Sequence, residues 1–163
     1  MAGKEDFTAE EWQQIITAPQ MAAIYIGLSS PSGIVGSVKE MMAFPKLVVE
    51  ATKTSTGNSL IDALASDFKA KIEKLEKVEL PFTSKKPNEI KSQCLQACRS
   101  LAWMLATKNI PEAEGFKQWI YRVAQLSAES AKEGGFLGFG GTRVSEAEVA
   151  ALQDLAETLG IQV

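Results

Sequence analysis

Apolar residues recur at steps of three and four along most of the chain, the spacing that gathers them on one face of an α-helix. The clearest stripe begins at Ser59 and runs Ile61, Leu64, Phe68, Ile72, Leu75, Val78, with lysines and glutamates on the opposite face. A second stripe, capped by Asn88, runs Ile90, Cys94, Ala97, Leu101, Leu105 and is widened by Trp103 and Met104. A third enters through Pro111 as first helical residue, carries Glu112 and Glu114 at its positive end, and continues through Phe116, Ile120, Val123 and Leu126 or Ser127. The last is Leu152, Leu155, Ala156, Leu159, with Gly160 as its stop.

Helix starts are marked as clearly as the stripes. In "FTAEEW", Thr8 and Glu11 form a capping box, and Phe7 and Trp12 a hydrophobic staple. Ile15 and Ile16 continue that face until Pro19, which either kinks the helix or restarts it. The piece "PQMAAIYIGL" is apolar almost all round, the pattern of a central, buried helix. Ser37 and Glu40 make a second box, before Pro45 breaks that helix and "PKLVVEA" continues it as a short extension. Ser145 and Glu148 make a third, with Val144 and Val149 as its staple. "LVV" has no partner run with which to pair as a strand. These signals predict an all-α fold, a single compact bundle of six to eight helices over residues 1–163, with 1–6 as a disordered N-terminus. Residues from Ile15 to Glu40 and from Ile120 to Glu148 share an order of events, consistent with two pseudo-repeated helical hairpins.

Composition narrows the function. A chain of 163 residues suits one domain. Its net charge of −3 gives no electrostatic footprint for nucleic acid. No apolar run is long enough for an integral membrane segment, and the N-terminus has no secretory pattern, so a cytoplasmic location is expected. There is no histidine. That removes Ser-His-Asp and Cys-His nucleophiles and histidine-ligated metal centres. Cys94 and Cys98 sit four apart on one helix, where a bridge needs distorted geometry. They read as small buried hydrophobes in a reducing compartment. No pair of acids stands apart from a solvated helix face, so no catalytic residue, cofactor or metal is expected.

The candidate site is the loop "EGGFLGFGGTRVSEAE", residues 133–148. Three readings of it are open. Phe136, Leu137 and Phe139 plug the core across a tight reversal; or the phenylalanines are exposed and dock a partner protein or a membrane surface; or Gly140, Gly141 and Arg143 lead into the following helix as an anion nest. The first is preferred, since two exposed phenylalanines around an exposed leucine leave a sticky patch. The loop is not a Walker A motif, because no Lys-Ser/Thr follows the glycines.

The run "VSEAEVAALQDLAETLGI" resembles the tellurite-resistance TerB-like helical family at Val144, Ser145, Glu148, Leu152, Leu155, Leu159 and Gly160, about a fifth of the chain. The resemblance implies an all-α fold. The family's loop acids have no counterpart, since Gly140, Gly141 and Thr142 stand where an aspartate is expected and the earlier hairpin offers Ser32 and Gly33. That departure argues against a metal role. The expected function is a non-catalytic, bacterial-type helical protein that binds or assembles with a protein partner or with itself. The alternative is a TerB-like small-molecule or ion-binding stress-response domain, with an enzyme built on carboxylates or lysines as the third class.

Overall fold

The computed structural model describes residues 2–29, 53, 57–76, 82–133 and 146–163, and every regular element among them is helical. A 3-10 turn at Lys4–Asp6 precedes α1 (Ala9–Ser29), α2 (Ser59–Glu73), α3 (Pro87–Thr107), α4 (Ala113–Glu133) and α5 (Glu146–Leu159). The all-α class is as expected. The Ser37–Glu40 box, the "PKLVVEA" extension, the Val144–Ser145 start and both connecting loops of the pseudo-repeated hairpins lie outside the described residues.

α1 is the centre of the bundle. Thr8 accepts from the Glu11 backbone at 3.2 Å while Glu11 accepts from the Thr8 backbone at 2.8 Å, the reciprocal capping box. That backbone hydrogen bond, then Lys108, holds the Glu11 carboxyl below its ordinary range. The staple forms as well, with the Phe7 and Trp12 rings 6.0 Å apart. Pro19 neither breaks nor restarts the helix, which runs through it. Burial explains the tolerance. From Ile15 to Gly27 almost every side chain is enclosed, so packing outweighs the ~3 kcal/mol that an interior proline costs. Ala18, Ala22 and Ala23 on α1 are buried, as are Ala124 and Ala128 on α4. α3 and α4 are the main neighbours of α1, and α5 follows.

The stripe of α2 is shorter than expected. Leu60, Ile61, Leu64 and Phe68 are buried, but Ile72 is 44% and Leu75 90% exposed. The cause is an early stop. After Glu73 the backbone turns through Leu75 at φ 56°, with the Leu75 N–H on the Ile72 carbonyl at 3.1 Å and the Glu76 N–H on the Lys71 carbonyl at 2.9 Å. This is a Schellman stop with leucine where glycine is usual. Val78 lies beyond the described residues. α3 ends in the same way through Asn109 at φ 54°, and α5 through Gly160 at φ 73°, the stop expected there.

Two starts shift. α3 begins at Pro87, so Asn88 is not its cap; Lys86 holds the cap position and proline, lacking an N–H, takes the first helical place. α4 begins at Ala113, and Pro111 and Glu112 form the turn before it. Glu112 acts there as a tie. Its carboxylate accepts from the Ala2 backbone at 3.1 Å and the Ser59 hydroxyl at 2.9 Å. Its carbonyl accepts from Asn58 Nδ2 at 3.1 Å, while Asn58 Oδ1 caps α2. Burial pushes the Glu112 carboxyl up, but these hydrogen bonds outweigh it and hold the group below its ordinary value. Gly115 is required beside them, because a Cβ there would stand 2.8 Å from Asn58 Nδ2.

Within the N-terminal stretch for which disorder is expected, the described residues make specific contacts. Ala2 is buried, Lys4 pairs with Asp67 of α2 at 3.1 Å, and Asp67 also accepts from the Trp12 indole at 3.2 Å. Lys108 joins the end of α3 to the same corner, 3.0 Å from Glu11 and 3.2 Å from the Asp6 carbonyl.

The Leu75 stop gives a direct test. Leu75→Gly should stabilise the protein by about 1 kcal/mol in urea melts, since it relieves a left-handed leucine and removes no buried surface. A loss of stability would show that Leu75 contributes packing.

Candidate functional site

Phe136, Leu137, Phe139, Gly140, Gly141 and Arg143 lie outside the described residues. The described residues place the remaining chemistry.

Cys94 and Cys98 are buried and unbridged on α3. Burial pushes both thiols up to about 12, with Cys94 adding to the effect at Cys98. A thiol held neutral this far above physiological pH is a poor nucleophile and a poor metal ligand. The expectation of small core hydrophobes is met. Beside Cys94, Tyr25 is buried and its hydroxyl donates to Asp154 at 3.4 Å, with the Lys91 ammonium 5.6 Å from its ring centre. Burial, then the Asp154 charge, pushes the phenol up to about 12. This group ties α1, α3 and α5 together and keeps its proton.

Two open clefts border α3. One, of about 350 Å³, lies between Ala2, Asp6, Lys108, Asn109, Ile110 and Pro111, and its lysine is already engaged by Glu11. The other, of about 260 Å³, lies between Met21, Ser92, Gln93, Gln96 and Ala97. Among the described residues, no three acids or cysteines are grouped to hold a metal ion.

Trp103 is the feature that stands out. It is 71% exposed, one turn before the end of a helix whose other face fills the core. Trp103 does not widen the core stripe, as its aromatic character predicts, but lies on the opposite side of the helix. The signal was available in the spacing. At about 100° per residue, Trp103 falls roughly 180° from Cys94 and opposite the mean direction of Cys94, Cys98, Leu101 and Leu105. Its aromatic character was read as core, although its position is on the solvent side. Gln96, Arg99, Ser100, Ala106 and Thr107 surround it on that face and are all exposed. The short side chains at 100, 106 and 107 leave the indole standing clear. Trp12 and Trp119 are buried by contrast.

Comparison with protein-family models, with curated proteins and with solved structures returns no match. The TerB-like resemblance rests on the residues of the last helix alone.

Two outcomes follow. Acrylamide should quench mainly the Trp103 emission, so Trp103→Phe should remove most of the quenchable, red-shifted fluorescence while changing stability by no more than about 0.5 kcal/mol. Equal quenching in the variant would place Trp103 in the interior. For the thiols, a folded pKa above the unfolded value of about 8.5 means their contribution is complete below that pH and is lost as pH climbs toward 12. Stability should therefore fall across that alkaline range, and the fall should be shallower in Cys98→Ala than in the parent. An unchanged slope would contradict the assignment.

Proposed function

We propose that this chain is a non-catalytic helical binding or assembly protein that engages a protein partner through the outer face of α3. The observation that carries the reading is the exposed Trp103. A core tryptophan is explained by folding, but this one contributes little to the bundle. An indole offers about 150–250 Å² of surface, so enclosing its exposed part would contribute about 3–4 kcal/mol. Exposed polar pairs on the same face contribute about 0–1 kcal/mol each. Tryptophan in such a position is the side chain most often found to anchor protein interfaces. The ionisable groups described above support the same reading: the thiols and Tyr25 hold their protons, and Glu11, Asp67 and Lys108 are committed to structural pairs.

The test is native mass spectrometry of the tagged chain isolated from its own cell extract, beside Trp103→Ala. A protein retained at fixed stoichiometry by the parent and lost from the folded variant is the expected result. Retention of the same protein by both would remove α3 as the docking face.

A further inference from the structure

Trp103 does not stand alone on its face. Ser92, Gln96, Arg99 and Trp103 follow one another at steps of four, three and four, so they form one stripe along α3. That stripe begins at the cleft lined by Met21, Ser92, Gln93, Gln96 and Ala97 and ends at the indole. The distance along the helix from Gln96 to Trp103 is about 10 Å, three residues of an extended peptide or two turns of a helix.

The stripe also takes in Glu89, three residues before Ser92, whose carboxylate accepts from the Ser84 hydroxyl, but the turns nearest the indole hold no acid. From Ile90 to Pro111 the chain holds Lys91, Arg99 and Lys108 and no acidic residue, although the whole molecule carries −3. Lys108 is taken by Glu11, and Lys91 lies over the Tyr25 ring. Arg99 is exposed, one turn from Trp103 and on the same side. Its guanidinium presents a planar fork that matches a carboxylate, and it pairs with no carboxylate among the described residues. A face with one apolar anchor, one unengaged cation beside it and an amide-lined cleft is complementary to a short acidic segment.

Resting on the α3 docking reading, we propose that the partner of this face is an acidic protein segment. An aliphatic side chain of that segment packs on the Trp103 indole. A carboxylate one turn or two residues away pairs with Arg99, and backbone groups meet the amide of Gln96, since the Gln93 amide is held at both ends by Thr83. A single-stranded nucleic acid would also stack on an indole, but it needs a basic track along its backbone, and this stripe has one free cation.

A randomised dodecapeptide display library, selected on the full-length folded chain and counter-selected on Trp103→Ala, tests this with defined probes. Enriched peptides should carry Asp or Glu within three positions of an aliphatic residue. As synthetic peptides they should bind Trp103→Ala at least about 30-fold more weakly than the parent. Arg99→Glu should weaken them about 10-fold at low salt, a difference that shrinks at high salt, whereas Arg99→Lys, which keeps the charge but loses the fork, should weaken them less than Arg99→Glu does. Peptides that need Trp103 but show no acidic preference and ignore Arg99→Glu would overturn the acidic partner and leave the docking face standing. Peptides that bind Trp103→Ala as well as the parent, or no enrichment over it, would remove the docking face itself. Tighter binding of a dT12 oligonucleotide than of any enriched peptide, lost in Trp103→Ala, would also overturn the proposal.

Discussion

The bundle depends on α1 being enclosed on every side. A helix that is apolar all round has no solvent face to orient it, so its neighbours must cover the whole circumference. α3 and α4 are its main neighbours, and α5 packs against it as well. Small side chains are buried on both neighbours, Ala18 and Ala22 on α1 and Ala124 and Ala128 on α4. The same enclosure explains why Pro19 is accepted in the middle of a helix of 21 residues. It also explains where function can reside. A helix wrapped around α1 spends one face on the core and keeps the other for solvent, and on α3 that other face holds Trp103.

Polar ties lock the periphery to this core. Asp67 takes Lys4 and the Trp12 indole, so α2 is fastened to the first turn of α1. Glu112 receives Ala2 and Ser59, and Asn58 uses both ends of its amide to cap α2 and reach the turn before α4. These carboxylates hold together parts of the chain that are far apart in sequence. α2 gains less from the core than the other helices, since its buried face is confined to Leu60, Ile61, Leu64 and Phe68.

Much of the architecture is legible in the residues. The Thr8–Glu11 box, the Phe7–Trp12 staple, the buried character of "PQMAAIYIGL", the Gly160 stop and the stripe of α5 all follow from local chemistry. What local chemistry could not supply was where a stripe ends. Nothing in "IEKLEK" announces that Leu75 will take the left-handed turn that glycine favours, so the stripe extrapolates one turn too far. The tertiary ties are equally silent, because Ala2 and Glu112 are joined only by the fold. Trp103 is different: its place opposite Cys94 is calculable from spacing, and residue type overrode geometry in the reading. The glycine loop drew attention through composition, while the candidate face on α3 is ordinary in composition and distinct only in position.

The molecule therefore divides into a core organised by α1 and an outward face of α3 that carries the exposed Trp103. Native-state hydrogen exchange read by mass spectrometry addresses that division. Amides of α1 between Ile15 and Gly27 should exchange only through global unfolding, in step with the buried turns of α3 and α4, while α2 opens at lower free energy. Exchange of α1 ahead of α3 and α4, through a sub-global opening, would contradict a structure built around it.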